Sequence, residues 1–349
     1  MGVIRLDDPM NQETGLCASI LDALRDPALF IGPDTRLRAL NAPMRALLPG
    51  ARLGDPLARA LRSPDILGAV DRIISGSGRE SALWREAVPV ERVFDVLVSP
   101  LDLGAEGRTA VITFRDLTDA HRLDRVRADF IANVSHELRT PLASLVGFID
   151  TLQGAARSDS GAREKFLLIM GEQAARMSRL IDDLLCLSRV EQHEHRRPET
   201  PTDLVAAVGH VVDGLSMMAR ERRVKLAVDA TQDAIVLGDR DELLRLVENL
   251  VGNAIKYGAS PSEESVVNIS VVRENANARL RVRDHGPGIP REHLPRLTER
   301  FYRGCGESAG GTGLGLALVK HIVARHRGRL AVTSEPGNGS CFEVSLPLA

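Results

Sequence analysis

Aromatic residues are scarce, 3% of 349 residues with a single tryptophan. Stacking platforms for single-stranded nucleic acid are hard to build from so few rings. A surplus of one charge is missing too: 45 Lys and Arg stand against 47 Asp and Glu, a net charge of −2. That balance argues against direct nucleic-acid binding, which needs a basic footprint. Long apolar runs are also absent. The longest stretch free of Asp, Glu, Lys and Arg is Ser308–Val319, and it holds four glycines. A membrane span needs ~20 apolar residues. Asp7 and Asp8 stand where a secretory leader would be basic and then apolar. The expectation is a cytoplasmic protein with no membrane span in this chain; association with a membrane sensor complex stays open. Cys17, Cys186, Cys305 and Cys341 form no CxxC pair and no metal-ligand spacing. They read as reduced thiols.

What is present is ordinary globular material, 44% apolar and 26% charged. At ~150 residues per domain the length allows two to three domains. Three regions separate by pattern. Residues 1–116 mix short apolar runs (28–31, 93–99, 109–114) with turn signals at 32–34, 49–50, 76–78 and 104–107. This reads as a small α+β domain ending in an antiparallel pair. Residues 117–195 switch to helical periodicity, broken once around Gly154, Ser158 and Gly161. That is a helical hairpin. Residues 196–349 mix helices near 202–220, 241–257 and 313–326 with strands near 224–229, 234–237, 266–273, 278–284, 329–334 and 340–346. They read as α/β with one mixed sheet.

The first hairpin helix carries Leu138, Leu142, Leu145, Ile149 and Leu152 at alternating steps of four and three. The second carries Met170, Met177 and Leu184 against Leu180 and Leu187. One hairpin leaves such stripes half open, so two copies closing a four-helix bundle, a homodimer, are expected. His136 lies two residues from Val134 and from Leu138, ~200° around the helix from each, and so toward solvent. Pro141 removes the N–H due to the Glu137 carbonyl, which predicts a kink or loosened turn there.

A lone exposed histidine is ordinarily just solvated. The string Phe130-Ile-Ala-Asn-Val-Ser-His136-Glu-Leu-Arg-Thr-Pro141-Leu changes that. It resembles, over a dozen positions, the phosphoacceptor box of bacterial sensor histidine kinases. Neutral imidazole is a nucleophile, and its ordinary pKa near ~6.5 leaves it mostly neutral in the cytosol. The resemblance implies that His136 accepts phosphoryl and that Glu137 polarises the other ring nitrogen. It also implies that Thr140 orients water when the partner is dephosphorylated. The competing reading of Glu137 is a surface acid paired with Arg139 or a neighbour.

Four clusters follow toward the C-terminus. In Glu248-Asn-Leu-Val-Gly-Asn253-Ala-Ile-Lys256-Tyr257, Asn249 and Asn253 share one helix face. Their amide oxygens are hard ligands suited to Mg²⁺, and Lys256 offers a point charge to phosphates. Arg283-Asp284-His-Gly286-Pro-Gly288 follows a strand. Its glycines permit close backbone approach, and Asp284 can accept from an adenine amino group. Glu299-Arg300-Phe301-Tyr302-Arg303 joins an aromatic pair to arginines that can reach phosphate. Gly310-Gly311-Thr312-Gly313-Leu314-Gly315-Leu opens a helix, where backbone N–H groups favour anions. It is neither GxGxxG nor GxxxxGK[ST].

In this order the clusters resemble the N, G1, F and G2 boxes of the histidine-kinase ATPase domain. That is the Bergerat-type α/β sandwich shared with gyrase, heat-shock-ninety chaperones and mismatch-repair ATPases. The resemblance covers about residues 119–349 and implies ATP and Mg²⁺ as cofactors. It places ATP against Asn253, Lys256, Tyr257, Asp284, Gly286, Gly288, Arg303, Gly311, Thr312, Gly313, Leu314 and Gly315. It places the metal on Asn249 and Asn253. Three departures stand out. His285 replaces the commoner Asn, Thr298 replaces a frequent Phe, and the segment between Arg303 and Gly310 is short and lacks basic residues, which predicts a short, mobile lid of lower nucleotide affinity. Residues 20–31, Asn41-Ala-Pro and Arg115-Asp-Leu-Thr118 resemble a PAS sensor domain. It has no flavin-type Cys context and no His before His121, so a PAS without a cofactor is expected.

The layout looks most like phosphate-regulon sensor kinases. The implied function is ATP-dependent autophosphorylation of His136 and phosphotransfer to an Asp of a cognate response regulator, with phosphatase activity as an option. Two rivals are a Bergerat-type ATPase motor or chaperone and a catalytically idle dimeric scaffold. The signal, the regulator, and phosphorylation within or across the dimer are not legible in the sequence.

Overall fold

A computed structural model describes residues 18–86, 91–101, 108–154, 159–230, 233–259, 264–304 and 311–349. Asp7, Asp8, Cys17, Cys305, Ser158, Gly310, the turn at 104–107 and most of the short lid segment lie outside them. The chain divides into two compact units, residues 1–129 and 130–349.

The first unit is built on a five-stranded antiparallel sheet. Its strands are β1 (Ala28–Ile31), β2 (Leu37–Leu40), β3 (Glu80–Glu86), β4 (Arg92–Leu101) and β5 (Thr109–Asp116), in the order β2-β1-β5-β4-β3. The expected closing antiparallel pair is β4 with β5. The sequence pattern did not mark β2 and β3. β2 has only four residues, and β3 (Glu-Ser-Ala-Leu-Trp-Arg-Glu) offers half-buried positions with charges at both ends. Between β2 and β3 come α1 (Ala42–Leu47), α2 (Leu57–Ala60) and α3 (Pro64–Ile74). α3 buries Ile66, Ala69, Val70 and Ile73, one helix face at steps of three and four. Its core includes Phe94 and Phe114, with Trp84 stacked on Phe94 at 5.3 Å.

Helix α4 (Thr118–Gln153) carries His136, and α5 (Ser160–Gln192) is its hairpin partner, capped by the Asp159 carboxylate on the Ala162 N–H. α4 runs on through Pro141 as unbroken helix, and the side chain of Thr140 donates to the His136 carbonyl at 3.2 Å. The hairpin stripe is half open as expected: Leu142 and Ile149 are 51% and 40% exposed, while Leu138, Leu145 and Leu152 are half-buried.

Beyond the hairpin come β6 (Pro201–Asp203), α6 (Leu204–Glu221), β7 (Val224–Asp229), β8 (Ile235–Leu237) and α7 (Arg240–Gly258). Then follow β9 (Ser265–Glu274), β10 (Asn277–Arg283), α8 (Gly315–Arg325), β11 (Arg329–Ser334) and β12 (Ser340–Pro347). The main sheet has the order β11-β12-β10-β9-β7 and is mixed, because β7 and β9 run parallel. A parallel neighbour requires a crossover, and α7 lies on it. The expectation of a single sheet is corrected. β8 leaves the main sheet to pair with β6, since the residues just before α6, expected as its first turn, are extended and supply a second short edge. Asp203 caps α6 and Asp239 caps α7 through their carboxylates. α7 buries Leu243, Leu246, Val247, Leu250, Val251, Ala254 and Ile255 in one core with α5, α8 and the sheet. Along the flank of that buried face, Asn249, Asn253 and Lys256 fall at steps of four and three.

Candidate nucleotide-binding and phosphoacceptor site

A cavity of about 780 Å³ opens between α7, the start of α8, the loop after β10 and the middle of α5. That is room for a nucleotide. Asn249, Asn253, Lys256, Tyr257, Asp284, Gly288, Arg303, Gly311, Thr312, Gly313 and Gly315 all line it, so the sequence clusters converge on one place. Gly286 and Leu314 do not line it. Gly286 stands behind Asp284 and donates its N–H to the carboxylate Oδ1 at 3.0 Å. Leu314 is fully buried in the core, and its N–H donates to Thr312 Oγ1 at 3.3 Å.

One end of the cavity suits a base. Asp284 is buried, and its Oδ1 also accepts from the Ser340 N–H at 3.2 Å. Its Oδ2 accepts no hydrogen bond among the described residues, so it is available to an amino group. Burial pushes its carboxyl above the usual range, against the pull of those two N–H groups. Met218, Ile289, Leu297 and Phe342 supply apolar wall.

The other end suits phosphates. Gly313 has φ +69°, in the left-handed region, and a side chain there would press on Phe301. It turns the chain into α8 so that the helix N-terminus reaches the cavity. Asn249 donates its amide N–H to the Arg245 carbonyl at 2.8 Å, which turns its oxygen toward Gly315, where a Cβ would collide with it. Asn253 lines the cavity one turn further along the same helix face, and amide oxygens are hard donors of the kind that suit a cation bound together with phosphate oxygens. Among the described residues no cluster of three His, Cys, Asp or Glu could hold a metal by itself. Burial, then Arg179 and Arg222, push the Lys256 ammonium below its usual pKa.

The hairpin closes this end. Thr312 donates to Asp183 Oδ2 at 3.1 Å. Glu172, Gln173, Arg176, Arg179 and Asp183 of α5 line the cavity, and sequence reading missed all of them. Their spacing of one and two turns was visible, yet nothing in it says what the face meets. His136 is exposed and does not line the cavity. Its neighbour Glu137 pairs with Arg176 Nη2 at 3.1 Å, rather than with Arg139. The third cluster divides its work. Arg303 lines the cavity, whereas Arg300 pairs with Glu191 of α5 at 2.6 Å and lies over Phe130, which also meets Phe301.

Residues 126–193 match the His Kinase A (phospho-acceptor) domain, and residues 238–349 match the histidine kinase-, DNA gyrase B- and HSP90-like ATPases. The phosphate regulon sensor protein PhoR of Pseudomonas aeruginosa is 38% identical over 92% of this chain and 71% of its own length. The chain belongs to the sensor histidine kinases. The sensor-like histidine kinase SenX3 of Mycobacterium tuberculosis is 37% identical over 69% of this chain, which spans 58% of SenX3. A solved structure of the histidine kinase ThkA, in complex with response regulator protein TrrA, shares the fold. Its TM-score is 0.50 at 20% identity, over 95% of this chain and 98% of that one. This histidine kinase has no helix, among the described residues, long and apolar enough to cross a membrane.

Proposed function

We propose that this histidine kinase binds Mg–ATP in the cavity and transfers the γ-phosphoryl group to His136. The carrying observation is the reach of the cavity. Its α5 wall includes Arg176, which pairs with the residue next to His136. Asp284 and the apolar wall take the base. Lys256, Arg303 and the N–H groups opening α8 take the phosphates. Asn249 and Asn253 would hold Mg²⁺, which neutralises charge developing on the phosphate oxygens. One imidazole nitrogen of His136 attacks the γ-phosphorus as the bond to the β-phosphate oxygen breaks. Glu137 takes the proton from the other nitrogen, and ADP leaves. The chemistry is positioning and charge neutralisation.

The phosphoryl group then passes to an Asp of a response regulator, with Thr140 beside His136 for the reverse, hydrolytic task. The open stripe of Leu142, Val146, Ile149, Ile181 and Leu185 supports a second copy of the hairpin completing a four-helix bundle. The strand order and the helices between β2 and β3 support a PAS-type sensor reading of the first unit, with boundaries near residues 116 and 195.

Incubation with γ-labelled ATP tests the reading. Acid-labile, base-stable label should form on the wild type and vanish in His136→Gln. Hydrolysis without label would favour an ATPase motor, and neither would favour a scaffold. Asn253→Ala should lower autophosphorylation on the order of a hundredfold; full activity would sink the metal assignment.

A further inference from the structure

Arg176 faces two ways. Its Nη2 is 3.1 Å from Glu137 Oε2, in a pair that is only about one third exposed on each side. The same side chain lines the nucleotide cavity on the wall of α5. Seven residues further along that helix, ~10 Å at ~1.5 Å per residue, Asp183 receives the hydroxyl of Thr312 from the glycine-rich turn. The phosphate end of the cavity and Arg176 therefore share one side of α5. Cations crowd there: Arg176, Arg179, Arg222, Lys256 and Arg303 all line the cavity. The lowered pKa of Lys256, due to burial and then to Arg179 and Arg222, registers that crowding. Asp183 and Glu172 are the acids facing the group from α5, and Glu221 faces it from α6.

A guanidinium has five donors in a rigid fork and prefers the acceptor with the most charge. Glu137 has it now. A triphosphate entering the cavity brings a stronger competitor to the same fork. We propose that Arg176 is a nucleotide-operated clamp on Glu137: it holds the carboxylate in the empty protein and exchanges it for the terminal phosphates of bound nucleotide. The exchange frees Glu137 to take the imidazole proton of His136 only when a phosphoryl donor is present. This rests on the kinase reading for its purpose, but the competition itself is a binding equilibrium and needs no catalysis.

Competition is reciprocal. If Glu137 holds Arg176 back, removing the carboxylate charge must tighten triphosphate binding, and only through Arg176. The test is equilibrium binding of a non-hydrolysable ATP analogue to the full chain with Mg²⁺, for wild type, Glu137→Gln, Arg176→Gln and the double variant. Glu137→Gln should bind several-fold more tightly than wild type. Arg176→Gln should bind more weakly, and the double variant should match it. Arg176→Lys should recover part of the lost affinity, and AMP, lacking the terminal phosphates, should show none of these differences. Unchanged affinity in Glu137→Gln, or a gain that persists without Arg176, overturns the clamp. Autophosphorylation of Glu137→Gln is a separate readout. Normal activity there would remove Glu137 as the proton acceptor while leaving the binding cycle to decide the clamp.

Discussion

Thr312 Oγ1 donates a hydrogen bond to Asp183 Oδ2 at 3.1 Å, tying the glycine-rich turn to the second hairpin helix. Thr312 Oγ1 also accepts from the Leu314 N–H, so its proton is directed at the carboxylate. Burial raises the Asp183 pKa above the ordinary carboxylate range, and Thr312 only partly opposes this. The packed arrangement therefore holds a proton at pH values where the released carboxylate has lost it. The sign follows. Packing is favoured at low pH, weakens as pH rises from the ordinary value of 3.8 through the raised one, and levels off above it. Protection against hydrogen exchange at the start of α8, taken relative to a free amide at the same pH, should fall across that window, and Asp183→Asn should flatten the protection profile. A flat wild-type profile would contradict the assignment.

The start of α8 offers a second test. A methyl group at Gly315 would strike the amide of Asn249. The obstacle is the tip of a side chain, so the backbone can stay while Asn249 swings off its position. Alanine also restricts the unfolded chain more than glycine does, a small gain at this first helical position. Gly315→Ala should therefore melt no lower than wild type without ligand. The added stability conferred by a Mg–ATP analogue should shrink by about 1.4 kcal/mol for each tenfold loss of affinity. Undiminished ligand stabilisation would show that the Asn249 position does not matter to the nucleotide.

How much of this was readable in advance depends on the range of the interaction. The caps by Asp239 and the stripe of Asn249, Asn253 and Lys256 are local, and helical spacing alone places them. The convergence of Asp284 and Gly288 with Thr312 needed the resemblance, since no periodicity brings two separate loops together. Arg176, Arg179 and Asp183 were illegible. They lie beside the apolar stripe of α5, where charged residues ordinarily meet solvent, and only the packing of α5 against α8 gives them a cavity to line. The strand at β8 was legible but its sheet was not: a three-residue run does not say which sheet edge it will find.

His326 carries a stability prediction. It is 1% exposed, Nδ1 donates to the Ile322 carbonyl at 2.8 Å, and Nε2 accepts from the Asp239 N–H at 3.2 Å. Both nitrogens are committed to the neutral ring, and burial pushes the pKa below the ordinary 6.5. The unfolded chain then binds the extra proton first, so stability falls as pH drops below 6.5 and levels off below the lowered value. Beside it, burial raises the Glu242 pKa, which acts in the opposite sense above the ordinary 4.5. Between pH 7.5 and 5.5 the His326 effect should show as a falling denaturation midpoint, reduced in His326→Gln. Glu242 pairs with Arg325 in the same pocket. Arg325→Ala should be the more damaging change, by about 3–5 kcal/mol, because it strands a buried carboxylate.

The lone tryptophan makes the first unit separately observable. Asn41 is fully buried there, and its Oδ1 accepts from the N–H groups of Ala28 and Met44, both at 3.0 Å. Its Nδ2 donates to the carbonyls of Leu21 at 3.1 Å and Asp26 at 2.8 Å. One side chain thus satisfies backbone groups before β1, on β1 and at the start of α1. Asn41→Ala would leave them unpaired, at ~1–3 kcal/mol for each group that finds no water. An overall loss of about 3 kcal/mol is expected. Trp84 is the only tryptophan and packs on Phe94 and Phe114 of this unit, so its fluorescence follows this unfolding and not that of residues 130–349. A urea titration should show the Trp84 midpoint moving well down in Asn41→Ala, while stabilisation of residues 130–349 by a Mg–ATP analogue, followed by far-UV circular dichroism, is kept. An unmoved Trp84 midpoint would mean that water replaces the amide, and that Asn41 does not hold this end of the sheet together.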